Sequence, residues 1–126
     1  VEYRSVMDLP AEFYLQTVKV VFQDHALPKG EMVHRCHPVK TEKITDTAIL
    51  CIEGELDDIS GMGQTKAALD ITPNLADEKK MYLLQKGVGH YGVFNGGKWR
   101  RTIAPKVKEF IRTHDRELNA VCDAAD

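Results

Sequence analysis

Two short apolar runs constrain this chain more than any other feature. Residues 47–52 read Thr-Ala-Ile-Leu-Cys-Ile, and residues 81–85 read Met-Tyr-Leu-Leu-Gln. Neither alternates with polar residues, and both give way to glycine: Glu53-Gly54 after the first, Gly87 and Gly89 after the second. Unbroken apolar runs of this length predict strands buried on both faces. Helix-period segments flank and separate them. Strands that alternate with helices predict parallel pairing through crossovers, hence an α/β fold. Two strands alone leave both edges of a parallel sheet open, so the pattern reads as one part of a larger sheet. The open edge of the first strand also predicts self-association.

Three helices are expected. Asp8 followed by Pro10 reads as a capped helix start, with Tyr14, Val18, Val21 and Phe22 at helical spacing up to about Asp24. Leu27-Pro28-Lys29-Gly30 should break it, and residues 31–43 carry no period and read as loop or short strand. A second helix is expected over residues 60–69, capped by Ser60 and closed off by Pro73. The last should bury Ile103, Val107, Phe110 and Ile111 on one face, with Pro105 in its first turn or at a kink. Lys98, Arg100, Arg101, Lys106 and Lys108 then form its wet face. The polar residues 115–126 read as a tail.

Composition narrows the class. The 126 residues carry 43% hydrophobic and 29% charged side chains, the proportions of a soluble globular domain. A formal charge of −2 gives no electrostatic case for nucleic acid or an anionic membrane surface. No apolar run approaches the roughly 20 residues that span a bilayer. Three cysteines, Cys36, Cys51 and Cys122, are an odd number without regular spacing. They argue against a disulfide framework and fit a reducing, cytoplasmic setting. No secretory leader is visible, and the first residue is Val, so the sequence reads as a processed product, an expressed segment or a piece of a longer gene.

In open α/β sheets, chemistry sits beyond the carboxyl ends of the strands. The first run ends in Gly54-Glu-Leu-Asp57-Asp58-Ile59-Ser60, the second in Gly87-Val-Gly-His90-Tyr-Gly92. One loop offers carboxylates and the other an imidazole. A histidine base needs a carboxylate on its far nitrogen to fix its tautomer, and adjacent parallel strands would bring the two loops together. The order of acid then histidine matches an α/β-hydrolase, whose nucleophile comes earlier. The simpler alternatives are an exposed loop histidine and a solvated acidic turn. The required nucleophile, a Ser or Cys on a glycine-flanked strand-to-helix turn, is missing. The serines are Ser5 and Ser60, neither in that setting, and Cys51 reads as a buried strand residue. The chain alone is therefore expected to have no esterase activity. Residues 92–99 approach a phosphate-binding loop but place Trp99 where Ser or Thr must hold magnesium. His34-Arg-Cys36-His37 has no second ligand pair at a zinc-site spacing. No cofactor or metal is expected.

Several strings carry a family resemblance. Met7-Asp-Leu-Pro-Ala-Glu-Phe-Tyr-Leu15, Val20-Val-Phe-Gln23, Ala26-Leu-Pro28, Met32-Val-His-Arg35 with His37-Pro-Val39, Glu53-Gly-Glu55 with Asp57-Asp-Ile59, Gly63-Gln64 and Gly87-Val-Gly-His-Tyr-Gly-Val-Phe94 resemble the C-terminal region of intracellular polyhydroxyalkanoate depolymerases. The resemblance covers about residues 6 to 112. It implies the C-terminal portion of an α/β-hydrolase fold: the last parallel strands and flanking helices, preceded by a helical, cap-like segment. On that basis residues 1–43 are the cap or connector, 44–114 the core portion and 115–126 the tail. It implies hydrolysis of poly(3-hydroxybutyrate) esters at storage granules, with the polymer as partner. The nucleophile, often a cysteine in the family, would lie in an N-terminal part absent here. The family's histidine falls on His90 and its acid on Asp57, with Asp58 second, because Ile59 stands two residues after Asp57 as the hydrolase pattern requires. Cys36 departs from the family, standing where relatives resemble a glycine. The simplest role for Phe13, Tyr14, Val18 and Phe22 is packing on the core; the alternative is that residues 8–37 contact the polymer. A polyhydroxyalkanoate synthase fragment and a non-catalytic granule-binding module are the competing readings.

Overall fold

A computed structural model describes residues 8–115. The chain divides into two compact units, Val1–Thr41 and Glu42–Asp126. Ser5 and Cys122, and the expected tail beyond Asp115, lie outside the described residues.

In the first unit α1 spans Ala11–Thr17 and runs directly into a π-helical segment, Val18–Gln23. The helix begins at Pro10 rather than at an Asp8 cap: Pro10 occupies the N-cap without a side-chain bond, and its carbonyl accepts Tyr14 N–H at 3.2 Å. Proline suits this end because it has no N–H to leave unsatisfied. The widened turn is closed by Asp24 N–H on the Lys19 carbonyl at 2.8 Å, five residues back. The break comes at His25, whose φ of 51° ends the helix before Pro28 is reached. A two-residue-strand hairpin follows, β1 (Val33–His34) against β2 (His37–Pro38), antiparallel. Its connection, Arg35-Cys36, has φ of 48° and 65°. Both central residues are thus left-handed, as the twist of a two-residue hairpin demands. Phe13 and Tyr14 of α1 and Phe22 of the π-helical segment are 55%, 61% and 69% exposed, so within their own unit these aromatics pack on no core.

In the second unit β3 (Ile49–Gly54) pairs in parallel with β4 (Lys80–Gln85), Cys51 standing beside Tyr82 and Glu53 beside Leu84. This is the parallel α/β pairing expected of the two apolar runs. The register puts Cys51 and Glu53 on one face and Leu83 and Gln85 on the other, and all four are buried. Each strand therefore contributes to a different buried side, as parallel sheets require. Leu75, Val88, Val93 and Ile103 complete the core, Ile103 with no exposed surface.

The helix expected over residues 60–69 is reduced to α2, Ala67–Asp70. Residues 62–66 form turns instead, with Gly63 at φ 94°. The physical reason is competition: the backbone N–H groups of Gly63, Thr65 and Lys66 donate to the Glu53 carboxylate at 2.7–2.9 Å. Ser60 caps no helix; its own N–H is drawn to Asp57. The last helical run starts earlier than the apolar pattern suggests. It comprises α3 (Gly96–Lys98), a π segment (Trp99–Ile103) and α4 (Ala104–His114). Pro105 sits in the first turn of α4, and the wide turn just before it absorbs the missing donor. The expected apolar face is only partly buried, since Ile111 remains 56% exposed. Lys98, Arg100, Arg101, Lys106 and Lys108 are all exposed, the wet face expected of this run. Among the described residues, no helix is long and apolar enough to cross a membrane.

Candidate active site

The loops after β3 and β4 are stitched together by backbone. Glu55 N–H donates to the Gln85 carbonyl at 3.0 Å and Leu56 N–H to the Val88 carbonyl at 2.9 Å. The Glu55 carboxylate adds a bond from Gly87 N–H at 2.8 Å. Gly54 permits this approach: a Cβ there would lie 2.5 Å from the Val88 carbonyl oxygen and 3.2 Å from a Val93 methyl. No other residue fits without forcing the loops apart.

This stitching places Asp57 against His90. His90 Nδ1 lies 3.0 Å from Asp57 Oδ2 and 3.2 Å from Oδ1. Asp57 Oδ1 also accepts the N–H groups of Ile59 and Ser60 at 2.9 and 2.8 Å, forming a small turn around the carboxylate. The Asp57 side chain is 6% exposed, that of His90 33%. Asp57 is held below the usual carboxylate value, first by the Ser60 N–H and then, against the pull of burial, by His90 and Ile59 N–H. Asp58, the second-choice acid, is exposed and takes no part in the contact with His90.

His90 opens a single 3-10 turn, His90–Val93, after an extended Gly89. Its ring meets Tyr91 and Phe94 edge-on, at centroid distances of 5.5 and 6.4 Å. Both aromatics are largely exposed. A cavity of about 120 Å³ lies here, lined by Glu53, Asp57, Ser60, Thr65, His90 and Phe94 among others. A larger hollow, about 290 Å³, lies against β4 and α4 with Lys80, Lys106, Glu109 and His114 on its wall. It contains no hydrogen-bonded acid–histidine pair.

Glu53 is the chemical feature that the apolar pattern concealed. It is 2% exposed and fills all four acceptor sites of its carboxylate: Thr65 and Lys66 N–H on Oε1, Gly63 N–H and the Tyr82 hydroxyl on Oε2. Burial pushes Glu53 up, but the Gly63 N–H, the Tyr82 hydroxyl and the other two N–H groups outweigh it and hold it low. The Tyr82 hydroxyl is pushed up, first by its bond to Glu53 and then by burial. The one sequence signal was an acid closing an otherwise apolar strand, which demands partners if buried.

The candidate nucleophiles fare differently. Cys51 is buried in β3, and burial, then the Glu53 charge, raise its thiol above the usual range. That is the opposite of an activated thiolate. Ser60 lines the cavity but follows an open acidic turn, not a strand-to-helix elbow. Cys36 is exposed on the hairpin of the first unit. Among the described residues no group of three or more His, Cys, Asp or Glu is placed to hold a metal ion, and His34 and His37 pair only as hairpin neighbours.

An imidazole oriented by a buried carboxylate, beyond the carboxyl ends of parallel strands, defines a class: an α/β protein with an acid–base pair suited to proton transfer. The chain matches the family described as PHB de-polymerase C-terminus over residues 1–115, and it belongs to that family. The family's chemistry is hydrolytic, and the match favours a depolymerase over a polymer synthase. Comparison with curated proteins and with solved structures gave no match.

Proposed function

We propose that this chain carries the general base, His90, and its orienting acid, Asp57, of an ester hydrolase acting on poly(3-hydroxybutyrate) and related polyhydroxyalkanoates. The observation that carries the reading is the 3.0 Å contact between His90 Nδ1 and Asp57 Oδ2, in a chain of the depolymerase family. With Nδ1 engaged as donor, Nε2 is the nitrogen left to move protons. It takes the proton of a Ser or Cys as that nucleophile attacks the ester carbonyl, then gives it to the departing 3-hydroxy alkoxide. It next takes a proton from the water that attacks the acyl-enzyme, and returns it to the nucleophile. Asp57 orients the ring and balances the imidazolium charge.

The nucleophile belongs to another segment of the protein, on a strand-to-helix turn. In that arrangement β3 and β4 are the last parallel strands of an α/β-hydrolase fold. Residues 44–114 are its C-terminal core portion and residues 1–43 a cap or connector that contacts polymer. The setting is cytoplasmic, at the surface of storage granules.

The test uses the full-length protein on amorphous poly(3-hydroxybutyrate) granules, with release of 3-hydroxybutyrate as readout. Asp57→Asn and His90→Ala should each lower kcat by about 10⁴-fold, the scale of removing a triad member. Asp58→Asn should stay near wild type. Full activity in His90→Ala ends the reading, and a dead Asp58→Asn beside an active Asp57→Asn moves the acid. The isolated 126-residue chain should release no product. Turnover by it that His90→Ala abolishes would place the nucleophile within these residues.

A further inference from the structure

We infer that Glu53 is a positioning residue for the Asp57–His90 pair, acting through the backbone of residues 57–66. The inference builds on the reading of that pair as catalytic, and its test separates the two.

Two carboxylates divide one stretch of backbone donors. Asp57 Oδ1 takes the N–H groups of Ile59 and Ser60, and Glu53 takes those of Gly63, Thr65 and Lys66. Only Gly61 and Met62 separate the last donor to Asp57 from the first donor to Glu53. They lie in a turn closed by Gln64 N–H on the Gly61 carbonyl at 3.2 Å. A displacement of Gly63 therefore reaches Ser60 through two residues and alters the geometry that holds Asp57. At its other end Glu53 is anchored to β4 by the Tyr82 hydroxyl at 2.6 Å. The segment over the cavity is thus fixed to both strands, and Glu53 itself lines that cavity with His90.

A carboxylate is needed for this arrangement. Its four acceptor sites meet three N–H donors and one O–H donor. The carboxamide of Glu53→Gln keeps the size but has one acceptor oxygen. If that oxygen keeps Thr65 and Lys66, the amide nitrogen faces Gly63 N–H donor to donor, at a residue only 2% exposed. The segment must then shift at Gly63, the end nearer Asp57.

The experiment is amide hydrogen exchange on the full-length protein, read on peptides covering residues 57–60, 63–66 and 80–85, with kinetics on the same samples. Glu53→Gln should speed exchange of both 57–60 and 63–66 by about tenfold while leaving 80–85 unchanged. It should lower kcat with KM unaltered. A uniform acceleration of all three peptides is what simple destabilisation gives, and it overturns the inference. So does faster exchange in 63–66 with 57–60 unmoved. Tyr82→Phe is the gentler variant should Glu53→Gln fail to fold. It removes one bond to Glu53 and should give the same pattern at smaller amplitude; a 57–60 peptide at the wild-type rate overturns the inference. Coupled exchange with an active His90→Ala leaves the coupling standing and removes its catalytic meaning. Uncoupled exchange with an inactive His90→Ala does the reverse.

Discussion

The two units of this chain solve the problem of burial in different ways. Up to Thr41, the only buried residue described is Ala26, and the large apolar side chains of α1 and its π-helical continuation face outward. From Glu42 onward a small core forms around Cys51, Leu75, Leu83, Val88, Val93 and Ile103, and carboxylates fasten the loops above it. The second unit is specified by long-range contacts: Glu53 binds donors ten to thirteen residues ahead, and Asp57 a histidine 33 residues ahead. The first is held by local helical turns and one tight hairpin. The difference teaches where function and stability reside. A site demands fixed geometry, and fixed geometry here coincides with the core. In the proposed role the exposed aromatics of the first unit meet a polyester chain.

The largest stability effect should separate the units directly. Ile103→Ala removes a side chain with no exposed surface and should cost about 2–5 kcal/mol, read as a lower midpoint in denaturant. Phe22→Ala removes a larger side chain that is 69% exposed and should stay within about 0.5 kcal/mol. In the proposed role Phe22→Ala should also weaken adsorption to polymer granules. Equal destabilisation by both substitutions would show that the exposed face of the first unit is covered in the working protein, and the contrast between the units would collapse.

A second substitution tests whether core and site are one object. Gly54→Ala sets a methyl 2.5 Å from the Val88 carbonyl oxygen, a backbone atom that moves only with the loop after β4. Relief requires the loops after β3 and β4 to part, at about 1–3 kcal/mol. The same movement separates Asp57 from His90. Stability and kcat of the full-length protein should therefore fall together, measured by unfolding and by 3-hydroxybutyrate release. A loss of stability with kcat intact would mean that the loops carry the pair independently of the sheet.

The parts legible in the sequence were those with a local cause or a general rule of topology behind them. Both strands followed from apolar runs, and the parallel pairing followed from alternation with helical segments. The buried state of Cys51 followed from its neighbours, and the contact of Asp57 with His90 from the rule that strand ends gather chemistry. What was not legible had causes distant in sequence. The helix expected over residues 60–69 has acceptable local propensity, and Ser60 is a reasonable cap by type. It fails because a carboxylate on β3 takes the N–H groups of Thr65 and Lys66, which a helix capped by Ser60 would donate to the carbonyls of Gly61 and Met62. Propensity is a weak prior against such a competitor. The exposure of Phe13, Tyr14 and Phe22 was hidden for a related reason. Helical spacing says which residues share a face, and says nothing about whether anything covers it.

The smallest effect comes from the hairpin, where the family resemblance already marked an anomaly. Cys36 stands where relatives resemble a glycine, and its φ of 65° is one that an L-residue adopts against the clash of its Cβ with the backbone. Glycine removes that clash. Its greater freedom in the unfolded chain offsets part of the gain, leaving Cys36→Gly more stable by about 0.5–1 kcal/mol. The measurement is a local one, amide exchange across residues 33–38, because a short exposed hairpin contributes little to the cooperative unfolding of the core. Slower exchange confined to those residues would confirm that the first unit keeps its own local stability. Slower exchange that spread to β3 and β4 would show the two units stabilising one another, and would break the division drawn between them.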